Sequence, residues 1–351
     1  MPGIFFIFTK HNQNHQLNFY PMRTLSLLAS VLMLPAFLAA QIVPPKSVRA
    51  LPIIDVHVHA MKVFPGAPVL CPWFLRDMPG SDPGSPPPSF LGAGCAIPLQ
   101  PAHSDKEMQD SIVSTMKRLN MTLVVFGDAN IIRNWKKASG GDRIIPGIGV
   151  SSPNDMTVVA FTDSLSSGFY KVMGEVAPQY QGLSPSDMSL DAYFAAAEKL
   201  NIPVGIHMGT GGNGMANLTS PKYRASLGNP LLLEDLLARH PKLKVWVMHS
   251  GYPMIDDMIA LMGANAYVYC DIAGLIWSYS QVEVNAYLKR LVQAGFGKRI
   301  MYGTDFMIWP NLIQTSLSIV ENADYLSFDQ KRDILFNNAV RFFRLDPDKF
   351  K

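Results

Sequence analysis

Cysteine is scarce: Cys71, Cys95 and Cys270 are the three in 351 residues. So small and odd a number excludes a fold built on a disulfide scaffold. Cys71 and Cys95 share one irregular stretch and would be free to pair in an oxidising compartment. Charge is thin as well, at 16% of residues, with 30 Lys plus Arg against 27 Asp plus Glu. That near balance argues against a nucleic-acid partner, which calls for a basic stripe. A glycine-rich phosphate turn after an early strand is missing too, which argues against an open doubly wound sheet. What the chain does have is 48% hydrophobic residues, enough to bury a sizeable core.

Acidic residues are absent from the first forty positions, which hold Lys10 and Arg23. From Met22 the order is Arg23, an apolar stretch from Leu25 to Ala40, then Gln41 and Pro44–Pro45. A basic start, an apolar run and a small-residue end form the layout of a secretory leader, although Leu38 is larger than a cleavage site prefers. A membrane anchor would need ~20 apolar residues, and this run is shorter and broken by Ser26 and Ser30. The expectation is export to the periplasm or medium from a start at Met22, with no stable membrane insertion after cleavage. Residues 1–40 are then leader plus upstream extension, and residues 41–351 form one domain.

Short apolar runs recur with helical patterns between them. Strands are predicted at Ile53–His59, Met121–Asp128, Ile144–Val150, Phe169–Val176, Pro203–Gly209, Lys244–Ser250, Ala266–Ile272 and Arg299–Phe306. Helices are predicted at Asp105–Leu119, Leu190–Leu200, Pro230–His240, Met254–Leu261 and Val282–Ala294. Runs such as Val245-Trp246-Val247-Met248 suit parallel strands covered on both faces. Eight such strands alternating with helices predict an α/β fold, a (β/α)8 TIM barrel. Two additions follow: a loop after the first strand, Met61 to Ser104, carrying ten prolines, and a closing C-terminal helix over Phe328–Leu345. The long loop lies on the face where such barrels place their sites, so it reads as a partial lid.

Histidine supplies the chemical signal. Only six follow residue 40, and four of them, His57, His59, His207 and His249, end predicted strands one, five and six. Strict alternation would put Ile53, Asp55, His57 and His59 on one face of strand one. Strand eight ends in Gly303-Thr304-Asp305. Imidazoles and a carboxylate converging on one barrel mouth make a nitrogen and oxygen site suited to zinc or another divalent metal. His103 and His240 flank helix ends and read as structural. Asp128 and Asp271 also end strands, where capping the next turn is the expected job. Trp73, Trp277, Tyr252 and Trp309 lie on loops of the same face and would line a substrate pocket. Arg76 and Arg224 are candidates to grip a carboxylate.

The Asp55-Val-His57-Val-His59 run, His207, the His249-Ser-Gly-Tyr-Pro253 turn and Gly303-Thr-Asp305 together resemble the amidohydrolase superfamily. The likeness runs from Ile53 to Leu345 and includes Asn338-Ala339. It is nearest to the amidohydrolase-related branch that also holds the carboxymuconate-semialdehyde-type decarboxylases. The resemblance implies that His57, His59, His207 and Asp305 ligate a metal. It implies that His249 binds a second metal or acts on substrate, and that Glu175 occupies the position of a bridging ligand. Zn²⁺, one or two per chain, is the expected cofactor, and a homodimer the expected assembly. A metal ion lowers the pKa of its water from about 15.7 to about 7. Asp305 would take that proton as general base, while the metal and His249 polarise the substrate oxygen. The expected function is hydrolysis of an ester, lactone, amide or related bond in a small molecule. The alternatives are nonoxidative decarboxylation on the same scaffold and a non-catalytic metal- or ligand-binding barrel. The complete ligand set counts against the last.

Overall fold

Apolar runs along eight short segments build the barrel seen in a computed structural model of the chain, which describes residues 47–72, 97–212, 214–218 and 220–350. All the strands are parallel and pair in chain order: β1 (Ile53–Ala60), β2 (Met121–Gly127), β3 (Ile144–Ile148), β4 (Val172–Val176), β5 (Val204–His207), β6 (Val245–Met248), β7 (Val268–Asp271) and β8 (Ile300–Met301). The ring closes where Val56 N–H donates to the Tyr302 carbonyl and His59 N–H to the Phe306 carbonyl, both at 3.0 Å. The predicted (β/α)8 class therefore holds. The described residues lie in one compact unit, Pro45–Lys351. No helix among them is long and apolar enough to cross a membrane. The expected leader, Trp73, Arg76, Cys95 and most of the proline-rich loop lie outside the described residues. Cys71 is disulfide-bonded, and Cys270 is a free buried thiol.

β8 is far shorter than the expected Arg299–Phe306 because its neighbours change. Tyr302 N–H turns to the Ile334 carbonyl of the C-terminal helix, at 2.9 Å, instead of continuing the β7 ladder. The helices expected from sequence appear with ends shifted by a few residues, and the described structure adds Ala129–Ala138, Val158–Ser166 and Leu312–Glu321. Asp128 does cap, accepting from Asn130 and Ile131 N–H at the head of Ala129–Ala138. Ser104 likewise accepts from Glu107 N–H to start Asp105–Arg118. His240 is structural as expected, with Nε2 at 3.1 Å from Asp191 Oδ1.

Two apolar layers result. The outer one joins strands to helices and takes Ile53, Val58, Leu123, Val125, Val204, Ile206, Val245 and Val247. The inner one fills the barrel with Ile54, Val56, Phe126, Trp246 and Met301, and is sealed from below by Phe336, Ala339 and Phe342 of the C-terminal helix. Glycines make this interior possible. A Cβ at Gly147 would overlap the Phe126 ring, and one at Gly205 would overlap the Trp246 indole. Asn338 ties the floor to β8 by donating to the Gly297 and Ile300 carbonyls at 2.9 and 2.5 Å.

The single-face reading of strand one is corrected here. Ile54 and Val56 belong to the inner layer but Val58 to the outer one, so alternation breaks after Val56, and Ile53, on the outer side, does not share a face with His57 and His59. The register of β1 on β2 shifts between Asp55 and Val58. Such an irregularity re-aims the side chains beyond it, a frequent device beside active sites.

Candidate metal centre

Six side chains from five strands or strand ends meet at the barrel mouth: His57 and His59 of β1, Glu175 of β4, His207 of β5, His249 after β6 and Asp305 after β8. Local backbone departures aim them. β4 shifts register between Met173 and Val176, around Glu175. His249 and Asp305 adopt left-handed φ angles of 60° and 55°, a cost of order 1–3 kcal/mol each that the surrounding bonds must offset. Asp55, fully buried, supplies several of those bonds. Its carboxylate accepts from His57 N–H (3.1 Å), Thr304 N–H (3.0 Å) and Thr304 Oγ1–H (2.6 Å), locking β1 to the β8 end. Burial pushes the Asp55 carboxyl up to about 7, against the lowering effect of the Thr304 bonds.

The donor atoms fall into two groups around one carboxylate. His57 Nε2 lies 3.2 Å from His59 Nε2, and Asp305 Oδ1 lies 3.0 Å from His59 Nε2 and 3.6 Å from His57 Nε2. His207 Nδ1 lies 3.0 Å from His249 Nε2. Glu175 stands between. Its Oε2 is 3.3 Å from His59 Nε2 and 3.7 Å from His57 Nε2, while Oε1 is 2.5 Å from His207 Nδ1 and 3.3 Å from His249 Nε2. Zinc bonds of about 2.0–2.1 Å place neighbouring tetrahedral donors about 3.3 Å apart. Among the described residues, His57, His59 and Asp305 form one group able to hold a metal ion, and His57, Glu175 and His249 another.

The far nitrogens show which ring atoms are free to ligate. His57 Nδ1 is 3.2 Å from Asp271 Oδ2, and His249 Nδ1 is 2.8 Å from the Ala273 carbonyl. Each acceptor holds a proton on Nδ1 and leaves the Nε2 lone pair facing the mouth. His207 is reversed, with Nε2 at 3.1 Å from the Tyr180 hydroxyl and Nδ1 facing inward. Asp271 thus does more than the capping expected of it. Besides accepting from Ala273 N–H at 3.1 Å, it accepts from His249 N–H at 2.8 Å and Trp246 Nε1–H at 3.1 Å while orienting His57. Burial opposes its charge, and the neighbouring His57 more than offsets this, holding the Asp271 carboxyl below its usual range.

The same carboxylates make the rings proton traps. Burial disfavours the His59 cation, yet hydrogen bonds to Asp305 and Glu175 bring it up to about 9. His57 is likewise raised, by Asp305 and Asp271, against its burial. Without a cation, protons therefore gather on this pair of rings, and a bound metal must displace them. Metal affinity is expected to climb about tenfold per pH unit, per proton released, between pH 7 and 9. Calorimetry of Zn²⁺ binding in two buffers of different ionisation enthalpy should show proton release at pH 7; uptake of protons, or none, would contradict this.

The other expected site residues lie elsewhere in the mouth or away from it. Tyr252 is buried, donates to Glu283 Oε2 at 3.0 Å and packs on Tyr279 with ring centroids 4.0 Å apart. Trp309 Nε1–H donates to the Pro68 carbonyl at 2.8 Å. Trp277 belongs to the short helix Leu275–Ser278. Arg224 is exposed, its guanidinium donating to the Pro221 and Tyr223 carbonyls of its own loop. Sequence reasoning passed over Asp55 as a brace, Asp271 as the partner of His57, and Tyr180. The signal for Tyr180 was its place five residues past Glu175, on the same mouth.

Sequence comparison now decides the family: the amidohydrolase profile matches residues 54–345. The chain belongs to the amidohydrolase family. Protein fluG of Emericella nidulans is 25% identical over 161 residues, 42% of this chain and 18% of that protein. The amidohydrolase chain thus matches less than a fifth of that relative's length. Among solved structures, one described as a probable 2-pyrone-4,6-dicarboxylic acid hydrolase, from Acinetobacter baumannii with citric acid bound, aligns with a TM-score of 0.55 at 13% identity, covering 84% of this chain and 99% of that one. The 5-carboxyvanillate decarboxylase LigW of Sphingomonas paucimobilis aligns with a TM-score of 0.52 at 13% identity, covering 84% and 100%. At such identities the likeness is one of fold, and it spans both hydrolases and decarboxylases.

Proposed function

We propose that this amidohydrolase is a hydrolase of small molecules with two divalent metal ions bridged by Glu175. His57, His59 and Asp305 would hold one ion, and His207 and His249 the other. The observation that carries the reading is the split of the Glu175 carboxylate, one oxygen toward His59 and His57, the other toward His207 and His249. This departs from the arrangement expected for a single ion, where His207 joins His57 and His59. Ions bound there would acidify a water and polarise an oxygen of the substrate. The protein's own part begins with Asp305, whose carboxylate borders both β1 imidazoles and would accept the proton of the attacking water and pass it to the leaving group. Asp271 and the Ala273 carbonyl keep His57 and His249 in fixed tautomers, so neither ring competes for that proton. Tyr180 packs on His207 and Tyr223, and Tyr252 on Tyr279, a cluster of aromatic rings from the connections after β4, β5, β6 and β7 suited to a ring or acyl group.

Zn²⁺ remains the proposed metal on ligand chemistry, because three or four imidazoles with carboxylates favour it over harder cations. Export is proposed alongside, supported by the Cys71 disulfide, since such bonds persist in oxidising compartments.

Elemental analysis tests the scheme directly. Wild type should carry two divalent ions per chain, and Glu175→Ala one or fewer. Two ions in both proteins would remove the bridge, and none in either would remove the metal reading. Incubation with lactones, esters, amides and aromatic acids then separates the chemistries: acid release without CO₂ supports hydrolysis, whereas CO₂ release from an aromatic acid supports the decarboxylase alternative.

A further inference from the structure

Two consecutive residues in the turn after β4 clamp His207. Gln179 Nε2–H donates to the His207 carbonyl at 2.9 Å, and Tyr180 Oη lies 3.1 Å from His207 Nε2. The direction of the second bond follows from the first nitrogen's role. His207 presents Nδ1 to Glu175 and His249. If that atom ligates, as the proposed function requires, the ring proton resides on Nε2 and is donated to the Tyr180 oxygen. The phenol's own hydrogen must then turn to a different acceptor. Among the described residues, no other hydrogen-bond partner of Tyr180 Oη is present.

The surroundings narrow the direction left open. The Tyr223 ring stacks on Tyr180 with centroids 5.5 Å apart, and the Tyr223 hydroxyl accepts from Gly211 N–H at 2.8 Å. Gly211 in turn presses against the phenol: a Cβ there would stand 2.8 Å from Tyr180 Oη. Tyr223 and Gly211 therefore pack the phenol from one side and His207 from another, and Glu175 and Asp305 of the barrel mouth stand near enough that their charges help burial keep its proton on. A hydroxyl held as acceptor by a metal-binding histidine, with its hydrogen aimed into the mouth, is a preorganised donor for an oxygen that gains charge.

We infer that Tyr180 is a catalytic residue whose O–H donates a hydrogen bond to the substrate oxygen that becomes negative when water adds. In that step the water oxygen bonds to the acyl carbon, and the C=O π pair moves onto the oxygen facing Tyr180. The proton lost by the water passes to Asp305, and the phenol keeps its own. When the tetrahedral centre collapses, the oxygen's pair reforms the C=O bond and the leaving group departs with the proton from Asp305.

Inorganic phosphate, a tetrahedral oxyanion of similar shape, serves as the probe, and protein saturated with Co²⁺ reports its binding through the visible spectrum. Tyr180→Phe removes the donor and keeps the ring. It should retain wild-type Co²⁺ content and fold while binding phosphate about 10–100-fold more weakly, the effect of one hydrogen bond to a charged group. Gly211→Ala, which must displace the phenol, should weaken phosphate binding to a smaller extent. Equal phosphate affinity in wild type and Tyr180→Phe overturns the assignment. So does a Tyr180→Phe protein that cannot be saturated with Co²⁺, because the tyrosine then only positions His207. Wild type that takes up no Co²⁺ fails the metal reading, and the Tyr180 assignment falls with it. Unchanged phosphate binding in the loaded proteins fails Tyr180 alone.

Discussion

Asp305→Asn is expected to lower kcat by about 10²–10⁴-fold, the usual contribution of a positioned general base. The substitution keeps size and shape and removes only the charge and the basic oxygen. Asn also tolerates the left-handed φ of 55° that this position demands, and the backbone bond from residue 305 N–H to the His57 carbonyl, 2.8 Å, does not depend on the side chain. Folding should therefore survive, with a melting temperature close to wild type. Because the same carboxylate borders His57 and His59, the comparison belongs at saturating metal, with content measured alongside rate. A loaded Asp305→Asn protein with kcat within threefold of wild type would remove Asp305 from proton transfer. Loss of rate only in step with loss of metal would leave it a ligand and nothing more.

Trp246→Ala is expected to be the most destabilising single change, at about 3–5 kcal/mol for a large buried side chain. The indole is fully buried in the barrel interior, with Phe126 at 6.3 Å and Phe342 and Phe343 each at 5.5 Å between centroids. Gly205 leaves the space it occupies, so truncation opens a cavity beside a residue with no side chain to fill it. Chemical denaturation should show the midpoint falling. Trp246→Phe separates packing from hydrogen bonding: it keeps an aromatic ring but withdraws the N–H that Asp271 accepts at 3.1 Å. A smaller loss of stability should accompany a metal affinity about 10–100-fold weaker, the usual effect of disturbing a partner of a ligating histidine. A loss in Trp246→Ala below about 1 kcal/mol would show that the barrel interior repacks freely.

The barrel was legible because its strands are buried on both sides and read as apolar runs at regular spacing. The candidate ligands stood out because four of the six histidines after residue 40 fall at strand ends. What could not be read is how those residues reach the mouth. Alternation predicts a common face for Asp55, His57 and His59, and the register shift in β1 breaks it. Glu175 and His249 depend on similar departures, a shift in β4 and a left-handed residue after β6. Local periodicity carries no mark of these, since they arise from bonds between distant segments, such as Thr304 to Asp55. Asp271 was undervalued for the same reason. Its partners His57, Trp246 and His249 come from other strands, and a lone Asp before a turn looks like a cap.

The C-terminal helix closes the barrel at the end opposite the six converging side chains, with Phe336, Ala339 and Phe342 in the floor. A tether placed beyond that helix would therefore leave the working end facing outward. Immobilised on a resin or electrode through its C-terminal end, the protein would present every mouth to the solution in the same orientation, with the reactive face open to flow and the support behind it.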